Sequence, residues 1–106
     1  MYDEEVISSN TDKLIVALCA DYFRRKRMID RKLAPYNVIM ECRYLNYRIL
    51  DAACSVVGAQ NAERMIREIG GRVGYVDSAL DGMSETTYKI KKKEVKRAIA
   101  KRLSLL

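Results

Sequence analysis

Ile29-Asp30-Arg31-Lys32-Leu33-Ala34-Pro35-Tyr36-Asn37-Val38-Ile39 contains the only proline of the chain and divides two long stretches of helical period. Proline lacks the N–H that a helix interior uses, and it drives the preceding residue, here Ala34, out of the helical region. The break separates a first helix over about 12–33 from a second over about 36–57. Upstream, Leu14, Ile15, Leu18, Tyr22, Ile29 and Leu33 recur at helical spacing, with Cys19 and Phe23 widening the face. Ser9, Asn10 and Thr11 offer three N-caps in a row. Downstream, Cys42, Leu45, Ile49, Ala52, Ala53 and Val56 share one face, and Gly58 is the natural stop. Two long helices joined this tightly are expected to pack as an antiparallel hairpin.

Outward from the hairpin, Gln60 or Asn61 opens a third helix over about 60–80. Its apolar positions are Ala62, Met65, Ile66, Ile69, Val73, Val76 and Leu80. Gly70, Gly71 and Gly74 interrupt it, each costing up to about 1 kcal/mol relative to alanine in a helix interior. The preserved period favours continuity, although a cap at Gly70 and a separate short helix are the other reading; close helix approach is one reason to tolerate the glycines. Asp81-Gly82-Met83 reads as a tight turn, with Gly82 suited to the left-handed region. Ser84 then caps a last helix over about 84–103, and Met83 and Tyr88 occupy the two positions of a hydrophobic staple. The fold class is all-α. One helical domain spans 1–106: a flexible N-terminus over 1–10, the hairpin scaffold over 11–58 and a helix-turn-helix-like part over 59–106.

The charge of the chain is concentrated at its end. The net charge is +6, and in residues 84–106 Lys89, Lys91, Lys92, Lys93, Lys96, Arg97, Lys101 and Arg102 outnumber Glu85 and Glu94 by that same six. A neutral body with a basic terminal helix invites an anionic partner. At 100° per residue Tyr88, Val95, Ile99, Leu103 and Leu106 fall on one face, with Ala98 beside them. Lys89, Lys93, Lys96, Arg97 and Lys101 fall opposite, together with Thr86 and Ile90. Arg24-Arg25-Lys26-Arg27 point all round their helix and are expected to be solvated. Tyr44 and Tyr47, near Arg43 and Arg48, suit core or dimer contacts better than stacking on single strands.

Other classes are disfavoured by what the sequence lacks. It has no histidine, no Gly-rich phosphate loop and no nucleophile elbow, so no enzyme, cofactor, metal or small-molecule substrate is expected. Cys19, Cys42 and Cys54 form no C-x-x-C pair and suit small core hydrophobes in a reducing cytoplasm. The longest apolar run, residues 14–20, is too short to span a membrane, and Asp3, Glu4 and Glu5 follow Met1 where a leader would be basic, so a cytoplasmic protein is expected.

A helix, a three-residue turn with glycine and a basic helix have the sequence shape of a helix-turn-helix, whose second helix enters the major groove N-terminus first. In that geometry Glu85, Thr86, Lys89, Ile90 and Lys93 approach base edges, while Lys92, Lys96, Arg97 and Lys101 serve phosphates. Gly82-Met83-Ser84-Glu85-Thr86-Thr87-Tyr88-Lys89-Ile90-Lys91-Lys92-Lys93 resembles the G-[IM]-S-x-x-T-[YV]-x-x-x-[KR]-[KR] stretch of sigma-factor region-four-like domains and of small phage regulators of the ArpU and RinA type. The resemblance covers the C-terminal quarter and implies a phage- or mobile-element-type transcriptional regulator that binds double-stranded DNA. It gives the DNA-facing role to Thr86, Thr87, Lys89 and Lys93. Residues 76–82 depart from the family's I-A-x-x-L-G run by one extra residue between Leu80 and Gly82. A homodimer is the expected working form of such a DNA binder. The alternative is a non-enzymatic helical interaction module, either a homodimeric bundle or a small inhibitor that binds an acidic protein surface.

Overall fold

A computed structural model describes residues 7–78, 80 and 82–106. Among them every regular element is helical, as the apolar spacing requires. In chain order these are α1 (Ser9–Ala20), α2 (Tyr22–Arg31), α3 (Tyr36–Val57), α4 (Ala59–Gly70), a single 3-10 turn at Tyr75–Asp77 and α5 (Glu85–Arg102). The expectation for residues 1–6 lies outside the described residues, as does Asp81 of the turn. Ser9 and Asn10, assigned to a flexible end, belong to α1 instead. Its cap is Ser8, whose Oγ accepts from the Thr11 N–H at 3.1 Å, one residue before the three candidates.

The expected first helix is two helices. Asp21, at φ −93° and ψ −2°, bends the path, and side chains take the carbonyls on either side. Arg25 donates through its guanidinium to the Leu18 carbonyl at 2.7 Å and to Asn46 Oδ1 at 2.6 Å, while Asn46 Nδ2 donates to the Tyr22 carbonyl at 3.0 Å. A side chain entering the backbone ladder is a known cause of a helix bend. Arg25 is only 4% exposed, so of the four consecutive bases it alone is not solvated. A charge is tolerated there because it is hydrogen-bonded and lies 3.6 Å from the Asp21 carboxylate. α1 packs on α4 and α5, while α2 packs on α3. Lys26 (2.7 Å) and the Tyr22 hydroxyl (2.9 Å) both donate to Glu63 Oε2, tying α2 to α4.

The core is one cluster in which Ile15 and Cys19 of α1, Ile49 and Ala53 of α3, Met65, Ile66 and Ile69 of α4, and Tyr88, Val95 and Ile99 of α5 interlock. Burial pushes the Cys19 thiol up to about 12 against the opposing pull of Arg25 and Lys96, which suits a packing role. Gly70 sets the closest approach: a Cβ there would stand 2.5 Å from the Ala20 nitrogen. The close approach offered as a reason for the glycines is real at this one.

The helix expected over 60–80 ends at Gly70. The Arg72 N–H returns to the Ile69 carbonyl at 3.2 Å and the Val73 N–H to the Glu68 carbonyl at 2.9 Å, with Arg72 itself left-handed at φ 56°. That is a Schellman stop, and it costs strain because a residue with a Cβ occupies the left-handed position. Lys32 ends α2 and Ser104 ends α5 in the same way. The apolar period beyond Gly70 is a coincidence of spacing, since Val76 is 92% exposed. Between α4 and α5 the described residues hold only the 3-10 turn at Tyr75–Asp77, so the helix that precedes α5 ends at Gly70 and not just before Asp81.

Candidate nucleic-acid interface

α5 starts cleanly. Ser84 Oγ accepts from the Thr87 N–H at 3.2 Å, and Glu85 sits in the first turn, where a carboxylate complements the partial positive charge of the helix end. Gly82 has the positive φ expected of it, at 78°. Met83 packs half-buried on the core cluster that includes Tyr88, in keeping with a staple. The angle of α5 is set from the other side of Tyr88. Its hydroxyl donates to Glu68 Oε1 at 2.8 Å, and the Ser78 hydroxyl donates to the same oxygen at 2.8 Å. Glu68 is 4% exposed, so a buried carboxylate on α4 gathers the 71–84 connection and α5 at one point. Burial and the Glu68 carboxylate push the Tyr88 phenol up to about 12.

The nine residues expected at the interface divide into three groups. Thr86, Ile90, Lys93, Arg97 and Lys101 follow one another at spacings of three and four and form one row along the outer side of α5. Ile90 is half exposed, Lys93 and Lys101 are exposed, and Arg97 is partly exposed. Among the described residues none of the three bases in that row makes an ion pair. Thr87 and Lys89 lie exposed near the start of the helix, Lys89 held by Glu85 at 2.9 Å.

Lys92, expected to serve phosphates, and Lys96, expected on the outer face, both turn inward. Lys92 Nζ donates to the Val73 carbonyl at 2.5 Å, closing the connection onto α5; burial, with Lys96 nearby, lowers its pKa. Lys96 pairs with Asp12 of α1 at 2.9 Å and its side chain is 19% exposed. The physical reason is that α5 packs against both α1 and α3, so it buries a wider arc than a helix resting on one neighbour. Arg102 is likewise committed, to Asp51 of α3.

Two features of the site were not read from the sequence. One is a cleft of about 340 Å³ between the start of α1 and α5, lined by Ile7, Ser8, Ser9, Asp12, Lys93, Lys96 and Arg97. No local signal marks it, because it joins residues more than eighty positions apart. The other is the outer face of α3. Tyr44 and Tyr47, expected in core or dimer contacts, are 60% and 65% exposed, so they are not in the core of this chain. The Arg48 guanidinium lies 4.4 Å from the Tyr44 ring centroid, a cation–π contact on the surface.

Fold and site together define a small all-α protein that presents one cationic helix row, in which no helix among the described residues is long and apolar enough to cross a membrane. Comparison with protein-family profiles, with curated proteins and with solved structures finds no match.

Proposed function

We propose that the protein binds double-stranded DNA through the outer row of α5, as a small transcriptional regulator of the phage or mobile-element type. The observation that carries this reading is the row itself: Lys93, Arg97 and Lys101 face outward without an ion pair, whereas five other bases of the segment are occupied by Glu85, Glu94, Val73, Asp12 and Asp51. Free ammonium and guanidinium groups one helical turn apart suit successive phosphates, while Thr86 and Ile90 at the capped end suit base edges, Ile90 against a thymine methyl. Lys92 and Lys96 drop out of the phosphate-contacting set because their charges are already satisfied within the fold. The reading requires no catalytic step, cofactor or metal.

The test is fluorescence anisotropy of a labelled random-sequence duplex titrated at several salt concentrations. Three phosphate contacts from one α5 give a log–log slope of about −2.7. Replacing Arg97 with alanine should make that slope shallower by about 0.9. Absence of binding even at low salt would overturn the proposal.

A further inference from the structure

We propose that the cleft between the end of α2 and the start of α3 binds a small amphipathic anion, an aliphatic chain with an anionic head. Lys32 ends α2 in the left-handed conformation, at φ 52°, and Pro35 starts α3 from extended backbone, at ψ 155°. Side chains of both helices and of the link between them enclose about 460 Å³. Ile29 of α2 and Ile39 and Met40 of α3 supply apolar walls, with Ala34 and Tyr36 beside them. Ile39 is buried, whereas Met40 and Tyr36 are exposed. Clefts that take small ligands run from about 300 to 1,000 Å³ and are mostly apolar, with a few polar groups that fix the orientation of the ligand.

Charge selects the class of ligand. Among the described residues Lys32 and Arg43 are the only charged side chains that line this cleft, and neither makes an ion pair or a side-chain hydrogen bond. The charges of the other clefts are already engaged or belong to the α5 row. In the cleft lined by Leu50, Cys54, Glu63 and Arg67, Glu63 accepts from Lys26 and Tyr22, and the Arg67 guanidinium lies 4.1 Å from the Phe23 ring centroid. The cleft beside Ser55 holds the Lys91–Glu94 pair, and the one against α1 opens onto Lys93 and Arg97. Apolar walls with two uncommitted cations and no acid fit a chain laid on Ile29, Ile39 and Met40 whose anionic head meets Lys32 and Arg43. The planar fork of arginine matches a carboxylate, and an ammonium head would be repelled.

The experiment titrates methyl-labelled full chain with octanoate, and separately with octan-1-ol and octylammonium, in the absence of DNA, so that it fails or succeeds apart from the DNA-binding reading. Octanoate should shift the methyl resonances of Ile29, Ile39 and Met40 to saturation and leave those of buried Met65 and Ile66 in place. Octan-1-ol should bind about tenfold more weakly and octylammonium not at all. Arg43→Met keeps an apolar stem at the cleft and should lower octanoate affinity about tenfold with unchanged helicity by circular dichroism. Arg97→Ala should leave that affinity as it is. Absence of a saturable shift at millimolar octanoate would overturn the proposal. So would equal binding of octan-1-ol, a folded Arg43→Met variant that binds like the wild type, or an Ile90 resonance that moves together with Ile39, since that marks adsorption on any cationic surface. Shifts of the same methyls by an acidic peptide, with octanoate inert, would overturn the small-ligand assignment in favour of a protein partner.

Discussion

α3 and α5 are the two longest helices of the molecule, they pack against each other, and each leaves one side outward, yet the two outer sides have opposite chemistry. On α5 the outward row is cationic, and its three bases make no ion pair among the described residues. On α3 it is aromatic and flanked by charges of both signs. Their inner sides are alike, because each supplies one polar group to a buried ion on another helix. Asn46 of α3 accepts from Arg25, and Tyr88 of α5 donates to Glu68. The difference teaches that spacing alone assigns a side chain to a face, while the neighbours decide whether that face is inside. Charged groups resist burial so strongly that α5 could be oriented from its lysines; tyrosine tolerates either environment, so the α3 face could not.

The inner sides are separated by the largest expected effects. Asn46→Ala removes the acceptor of a buried guanidinium and the donor to the Tyr22 carbonyl, and should cost about 3 kcal/mol in urea unfolding. Tyr88→Phe removes one donor from a carboxylate that Ser78 still serves, and should cost less, about 1–2 kcal/mol. Equal losses would erase the contrast between the two buried ions.

Tyr88 also carries a pH signature. Its folded pKa of about 12 lies above its ordinary value of 10.0, so the protonated phenol is favoured by folding. Its stabilisation is complete below pH 10 and declines as pH rises towards 12. The Tyr88→Phe variant should therefore lose less stability over that interval than the wild type, as measured by unfolding at stepped pH. Asp21 and Glu63 act at the acid end. The Arg24 hydrogen bond holds Asp21 low; at Glu63 burial pulls upward but is outweighed by Lys26 and Tyr22. Both contributions fade as pH falls through their lowered pKa values, and Lys26→Met should blunt the Glu63 part.

The outer sides are separated by crossed variants. Lys93→Ala/Arg97→Ala/Lys101→Ala should flatten the salt dependence of duplex binding by about 2.7 in log–log slope and leave octanoate binding at the α2–α3 cleft intact. Ile90→Ala should change sequence preference more than the salt slope. The smallest effect lies off both helices: Arg72→Gly relieves a left-handed residue that bears a Cβ and should stabilise the fold by about 0.5–1 kcal/mol.

Much of the fold was legible because its signals are local. The proline break, the Ser84 cap and the apolar faces of α3, α4 and α5 depend on neighbours within a turn or two. The bend at Asp21 is half legible, since Tyr22, Arg25 and Ile29 follow at spacings of three and four and so put Arg25 in line with the apolar face. That it stays there depends on Asn46, twenty-one residues away. The end of α4 was misread because Val73, Val76 and Leu80 keep helical period by chance, whereas the Schellman stop and the pull of Glu68 on Ser78 and Tyr88 outweigh it. In the candidate interface, Thr86, Ile90, Lys93, Arg97 and Lys101 lie where the helical period puts them. Lys92 is in line with Tyr88 and Val95, so its spacing already puts it on the inner side, and Lys96 is drawn inward by Asp12, eighty-four residues away in the chain.

By itself, then, the sequence determined that the chain is helical, where most helices begin, and that its charge is concentrated in the last of them, because propensity, capping and composition act over a few residues. Only the tertiary structure decided which bases of α5 remain free, that an arginine and a glutamate are buried, and that the tyrosines of α3 face outward. Each of those outcomes is set by which distant side chain arrives to satisfy a charge or to cover a surface.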